Sequence, residues 1–369
     1  MDSSSCSGGR IRLTALLLVS LCAVAAAKVT PYQADISKDT IVDFNDFARF
    51  ARDRADLNDD GVFDNADLGA FVSQWLNTWT PIRTVQDLND IRNDLAGCYG
   101  LVNDVNASET STWNEGKGFE PIGNDFNPFT GSLFGGGHSI IGLYINRPYD
   151  INVGLFGRAD LGAILSDIRL KDTYTEGDTD VGTLVGTIKD AILSKIFSSG
   201  TVKLYNRGGG GIVGTIFKGT ITDCFSECDV TGRSTIGGLI GGGSSSDPNA
   251  LIITNCYSTG NVSGTKYIIG GLAGEVSYLI MTDCFSTSKV DGPSYVGGLV
   301  GRNKDNSSQI ANSFFTDPNH QNGIGTYEEE GEEAFHGDSH EVYETWNFDA
   351  NDGEWEAHPD ALPTLKDHD

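Results

Sequence analysis

The sequence predicts a mainly β protein: a parallel β-helix solenoid of about six to eight rungs, preceded by a small all-α module. Three observations carry this. A glycine-rich stretch recurs as IGGLIG (Ile236 to Gly241), IGGLAG (Ile269 to Gly274) and VGGLVG (Val296 to Gly301). Looser copies precede them: VGLFG (Val153 to Gly157), VGTLVG (Val181 to Gly186) and GGIVG (Gly210 to Gly214). The closing glycines stand at 157, 186, 214, 241, 274 and 301, in steps of 29, 28, 27, 33 and 27 residues, a period that marks stacked repeats. Each copy is followed by a second apolar run (AILSDIRL, AILSKIFS, GTITDCFS, LIITNCYS, LIMTDCFS) and a turn such as TGNVSG. Short strands with much glycine fit a parallel β-helix, because helical repeats need longer unbroken patterns. The third observation is a tandem acidic segment near the N-terminus, each half running into a helical pattern.

In chain order, residues 1–27 read as a signal peptide. Arg10 and Arg12 make a basic start, Leu13 to Ala26 a short apolar run, and Ala25-Ala26-Ala27 a cleavage site before Lys28. The run is too short and too early for a membrane span, and no later stretch would cross a bilayer as a helix. The mature chain is therefore expected to be secreted or held at the cell surface, with no transmembrane segment. A formal net charge of −26 excludes nucleic acid as a partner, since phosphate binding needs clustered Lys and Arg. It fits an acidic solvated surface or the binding of divalent cations.

Residues 28–80 hold the all-α module and a linker. Asp35 to Asp46 aligns with Asp56 to Asp67 at a constant offset of 21 residues. The second copy places oxygen donors at loop positions 1, 3, 5, 9 and 12: Asp56, Asn58, Asp60, Asp64 and Asp67. Gly61 stands where the loop turns sharply, and Val62 would offer its backbone carbonyl. This is the ligand spacing of a twelve-residue calcium loop, in which alternate residues converge hard oxygens on the ion. The first copy has Asp35, Ser37, Asp39, Asp43 and Asp46, with Ile41 at the carbonyl position and Thr40 in place of the glycine. Two loops, Asp rather than Glu at position 12 and one helix after each resemble a dockerin domain over about residues 33–77. That resemblance implies bound Ca²⁺ and docking onto a cohesin-like module or surface scaffold.

The solenoid is expected over residues 81–320. Thr84 reads as a helix N-cap with Asp87 completing a capping box, and Val85, Leu88, Ile91 and Leu95 form one apolar face. A short helix there would cover the open first rung, which an exposed sheet edge requires. The strand-like segments YGLVNDVN, FEPIG and GSLFGGGHSIIGLYINRP follow before the first repeat and add about two rungs. The G-L-x-G signature, the GGGHSIIGLYI segment, NCYSTGNVSG and the closing WNFDANDGEWEAHPDALPTL together resemble the GLUG-motif family over about residues 82–365. The resemblance implies an exported repeat protein of the kind found beside dockerin-like modules in bacteria such as planctomycetes. It attaches no shared enzymatic activity to the repeat. Residues 321–369 change character: EEEGEE (Glu328 to Glu333) is an acidic run, and Trp346 to Leu365 is expected to cap the last rung.

Three columns hold the chain's side-chain chemistry. Five cysteines remain once Cys6 and Cys22 leave with the signal, and Cys224, Cys256 and Cys284 share one place in successive repeats. Side chains stacked in parallel do not point at one another as a disulfide requires, so these read as a buried column. Cys224 with Cys228 is the weaker disulfide alternative. The column before the cysteines reads Asp167, Lys195, Asp223, Asn255, Asp283 and Asn312, either residues that favour a bend or carboxylates with a lysine for acid–base work. The column after them, Phe197, Phe225, Tyr257, Phe285 and Phe314, is either a structural stack or an exposed ladder for sugar rings. The tail segment HGDSHEVYE fails as a zinc-peptidase motif, because Glu344 stands where a second His is needed after His340-Glu341, which leaves His336, His340 and Glu344 as an acidic surface. The resulting expectation is a non-catalytic surface, adhesion or scaffold component, tethered through calcium and binding polysaccharide along the solenoid. The alternative is a polysaccharide-degrading enzyme, a lyase or glycoside hydrolase.

Overall fold

A computed structural model describes residues 79–245, 251–304 and 308–316, together with Ile324, residues 355–356 and residues 364–365. The chain divides into two compact units, residues 1–81 with 98–100, and residues 82–97 with 101–369. Both expected calcium loops lie outside the described residues. The following concerns the second unit.

It is a stack of parallel strands, a β-solenoid of six repeating turns. One face is a six-stranded parallel sheet made of Phe156–Ala159, Val185–Ile188, Val213–Ile216, Ile240–Ser244, Ala273–Ser277 and Val300–Asn303. Phe156, Val185, Val213, Ile240, Ala273 and Val300 lie in register across it, so the strand offsets equal the glycine steps of the sequence. The opposite wall begins with Ala163–Gly177 and Ala191–Leu204, paired in parallel from Ala163 with Ala191 to Gly177 with Leu204. Later rungs continue that wall as shorter strands, for example Gly219–Thr222, Leu251–Thr254 and Ile280–Thr282.

The core is built of columns that climb through the rungs. Leu155, Leu184, Ile212, Leu239, Leu272 and Leu299 from the G-L-x-G stretches are all buried. They face Leu165, Leu193, Ile221, Ile253 and Met281 and a valine column at 202, 230, 262 and 290, also buried. Each such side chain contributes about 1.5–3 kcal/mol of burial, and only its neighbours above and below share it. The glycines explain how the strands come close enough. A Cβ built on Gly271 would stand 2.0 Å from the Gly298 carbonyl oxygen, and one on Gly238 would stand 2.2 Å from that of Gly271. Thr183 occupies the same place in an earlier rung, where its hydroxyl donates to the Gly211 carbonyl at 2.6 Å. The space beside these glycines is filled by the next rung's backbone, and beside Gly211 and Gly298 also by the side chains of Ser226 and Phe315, which leaves no room there to cradle a ligand.

The lead-in forms a short helix with the expected capping box. A helix spans Val85–Asp90, with Asp87 N donating to Thr84 Oγ1 at 3.1 Å and Thr84 N to Asp87 Oδ2 at 3.0 Å. Val85, Leu88 and Ile91 are buried, whereas Leu95 lies beyond the helix and is half-exposed. The Leu95 carbonyl accepts from Thr130 N and Gly131 N, which fixes this segment on the lead-in turn. Two irregular turns precede the six: Val105 pairs with Ile140, and Ile140 with Leu170. Of FEPIG, only Ile122 joins the sheet, by a single bridge to Phe156.

The long step of 33 residues has a local cause. Gly243 to Leu251 covers eight residues where the equivalent Ile216 to Gly219 covers three, yet both flanks keep register. Beyond the last rung Ile324 bridges to Val300 in parallel, and Trp355 pairs antiparallel with Leu365. Other residues of the expected Trp346–Leu365 cap lie outside the described residues.

Candidate functional surfaces

Asp167, Lys195, Asp223, Asn255, Asp283 and Asn312 do form one column, and every one has a positive φ, 53, 53, 54, 51, 54 and 47°. That left-handed conformation is tolerated by Asp and Asn because their short polar side chains bond locally. Thr222 Oγ1 donates to Asp223 Oδ2 at 3.1 Å, and Asn255 Nδ2 donates to Asp223 Oδ1 at 3.1 Å. The column makes the wall bend at each rung and ties one bend to the next. Lys195 departs from that chemistry at the same conformation. The bend adds one residue to the strand, so Thr222 on one side and Phe225 on the other both point outward while Cys224 points in.

A second left-handed column was not legible in the sequence: Asn152, Asp180, Gly208, Thr235, Ile268 and Tyr295, with φ of 56, 55, 79, 56, 67 and 51°. It lies just before each G-L-x-G stretch and turns the chain into the six-stranded face. Thr187 Oγ1 donates to Asn152 Oδ1 at 2.7 Å, and Thr215 Oγ1 to Asp180 Oδ1 at 2.5 Å. Burial raises the Asp180 carboxyl above its ordinary range, against the lowering effect of that Thr215 bond. The one signal that could have found the column is the position itself, since its residue types share no chemistry.

The cysteine column is buried and reduced. Ile168, Ile196, Cys224, Cys256, Cys284 and Ser313 succeed one another inside the wall. The five described cysteines, Cys98, Cys224, Cys228, Cys256 and Cys284, are all free, so the Cys224–Cys228 alternative is not formed. Burial pushes the Cys228 thiol up to about 11 and those of Cys256 and Cys284 well up.

The aromatic column lies on the other side of the wall from the cysteine column and is in register from Phe197 through Phe225, Tyr257 and Phe285 to Phe314. Its rings stack on each other: Phe225 on Tyr257 at 4.7 Å and 22°, Tyr257 on Phe285 at 5.5 Å and 19°, with Phe197 tilted against Phe225 at 5.5 Å. Tyr257 and Phe285 are almost wholly buried, at 4% and 1% exposure. Ring faces occupied by neighbouring rings cannot also receive sugar rings. The structural reading of this column is the one its geometry supports.

A different cluster lies on the outer side of the first rungs. Tyr144 stacks on Tyr174 at 5.0 Å and 13°, and Lys203 Nζ lies 5.2 Å over the other ring. Tyr174 donates its hydroxyl to Glu176 Oε2, and Tyr205 donates to Glu176 Oε1 at 2.7 Å. Burial and then the Glu176 bond raise the Tyr174 phenol, and the Glu176 bond raises that of Tyr205, so both stay donors at neutral pH. Tyr205 and nearby Tyr149 are 59% and 92% exposed.

Among the described residues no three His, Cys, Asp or Glu side chains converge as a metal site, and no helix is long and apolar enough to cross a membrane. The sequence-derived calcium ligands Asp35, Ser37, Asp39, Ile41, Asp43, Asp46, Asp56, Asn58, Asp60, Val62, Asp64 and Asp67 lie outside the described residues, as do His336, His340 and Glu344.

No known family model matches the chain. Halomucin of Haloquadratum walsbyi is 37% identical over 139 residues, 36% of this chain and 2% of that protein. A protein of Evansella cellulosilytica, provisionally assigned as a Gly-rich membrane protein, is 35% identical over 95 residues, 25% of this chain and 11% of its own length. The chain thus spans a small fraction of these relatives. Among solved structures, a Bacteroides ovatus protein provisionally assigned as an immunoglobulin A1 protease matches with a TM-score of 0.59 at 17% identity, over 79% of this chain and 93% of that one. At that identity the likeness is one of fold, a β-helix repeat architecture.

Proposed function

We propose that this is an exported, non-catalytic surface or scaffold protein of the GLUG-repeat type. A dockerin-like module at residues 28–80 holds Ca²⁺ and tethers it to a cohesin-like partner, while the solenoid serves adhesion by binding polysaccharide. The observation that carries the non-catalytic part is the bend column. The strongest catalytic candidates of the sequence, Asp167, Lys195, Asp223 and Asp283, all sit at left-handed bends that the fold needs at every rung. The mucin and membrane-protein names of the two sequence relatives support a surface role. For the calcium part the support is the donor set itself: two loops in register, each with hard oxygens at positions 1, 3, 5, 9 and 12.

The test has two arms. Calcium added to the chelator-treated full chain should raise its helical signal and its retention on a cohesin-like surface protein, and Asp56→Ala with Asp60→Ala should abolish both. A response that the double variant keeps would remove the loops from the account. In the second arm the full chain is incubated with a polysaccharide panel. The alternative reading, a polysaccharide-degrading enzyme, gains its footing if turnover appears and Asp223→Ala abolishes it.

A further inference from the structure

We infer that the corner formed by Tyr149, Tyr205 and Glu176 is the solenoid's glycan-binding site, and that it takes a neutral polysaccharide chain. The inference rests on the polysaccharide-binding reading above and gives it a place.

Two features set this corner apart from the aromatic column. The ring faces of the column are used up in ring–ring contacts, whereas Tyr205 and Tyr149 keep more than half of their surface in water. They lie two rungs apart on one edge. Each immediately precedes a residue, Asp150 or Asn206, that is joined to Asp178 on the rung between: Asp178 N donates to the Asp150 carbonyl and Asn206 N to the Asp178 carbonyl, both at 2.8 Å. Two rungs correspond to roughly 10 Å, twice the spacing of neighbouring strands, so the pair would meet successive parts of an extended chain rather than one small molecule. Exposed tyrosine presents an apolar face and a polar tip together, which suits the CH face and hydroxyl rim of a sugar ring.

Glu176 supplies the directional part. Its two oxygens each accept one tyrosine hydroxyl, from Tyr174 and Tyr205. An ionised carboxylate offers about four acceptor positions, so about two remain for hydroxyl donors from a ligand. Tyr174 itself is held between Tyr144 and Lys203 and is not free to contact a ligand by its face. Its role is to fix the carboxylate, and Lys203 neutralises part of the local charge. The choice of a neutral chain follows from charge: a protein of net charge −26 with a carboxylate at the centre of the corner repels polyanions.

The experiment is affinity electrophoresis of the full chain through gels carrying soluble neutral polysaccharides (a β-glucan, a galactomannan, a xylan) or anionic ones (an alginate, a pectate). The wild type should be retarded by at least one neutral polymer and by neither anionic one. Tyr205→Ala should weaken that retardation about tenfold, the loss expected for an aromatic contact of about 1.4 kcal/mol. Glu176→Gln should weaken it as well with the fold intact by circular dichroism, and Glu227→Gln, an exposed acid elsewhere, should leave it unchanged. Retardation that survives both Tyr205→Ala and Glu176→Gln overturns the site and leaves the polysaccharide reading standing. A wild type retarded by no polymer, or only by the anionic ones, overturns the site along with neutral-polysaccharide binding.

Discussion

Replacing Gly271 by Ala should destabilise the solenoid by about 3 kcal/mol, whereas Gly242→Ala should leave it unchanged or slightly more stable. The added Cβ at 271 would stand 2.0 Å from the Gly298 oxygen, against the 3.4 Å of an ordinary contact, so the next rung must retreat by about 1.4 Å. Three backbone bonds hold that rung in place: Gly271 N to Gly297 O at 3.1 Å, Leu272 N to Leu299 O at 2.9 Å and Ala273 N to Leu299 O at 3.0 Å. A retreat of that size takes all three beyond hydrogen-bond range, and each contributes about 1 kcal/mol net. At Gly242 the nearest atom lies 3.6 Å from the added Cβ, so only the gain from a stiffer unfolded chain remains, about 0.4–1 kcal/mol. Chemical denaturation followed by circular dichroism compares the two midpoints. Solenoids need not unfold in one step, so the comparison is read from the first transition. Equal midpoints for Gly271→Ala and Gly242→Ala would refute the account of the motif as a close-packing device.

Three further outcomes are expected. Among the described cysteines, half-exposed Cys98 alone should react quickly with a thiol reagent in the native chain, and Cys224, Cys228, Cys256 and Cys284 only after unfolding, as followed by absorbance with and without denaturant. The raised Cys228 thiol also sets a pH dependence: its folded value of about 11 lies above the unfolded 9.0, so its contribution is complete below pH 9.0 and is lost as pH rises toward 11. Thermal melts across that window should fall less steeply for Cys228→Ala, by roughly 3 kcal/mol at full effect. Thr235→Asn should stabilise by about 1 kcal/mol in the same denaturation assay, because a β-branched residue at φ 56° is strained at a place that Asn152, Asp180 and Gly208 fill in the preceding rungs.

The repeat was legible because the same physics acts on every rung. The glycine steps, the cysteine column and the Thr84–Asp87 cap each follow from local sequence and reappear as register, burial and hydrogen bonds. The facing of the columns was not legible. A left-handed residue such as Asp223 interrupts the alternation of side chains, so counting by twos from Ile221 gives the wrong face for Phe225. The column through Asn152, Ile268 and Tyr295 was hidden because conformation, not residue type, is what repeats there. The corner at Glu176 was hidden for a related reason. Tyr149 and Tyr205 stand two rungs apart, and Gly177 holds the equivalent place on the rung between, so no run of like residues marks the corner.

The eight-residue passage from Gly243 to Leu251 also bears on how such a chain can change. Pairing resumes on both sides of it without adjustment, so length at this corner is decoupled from the stack. A solenoid with one such corner has a port where foreign sequence can be spliced in while the load-carrying strands keep their partners. Peptide tags or small binding loops inserted there should be displayed at a fixed height along the axis, set by rung number alone.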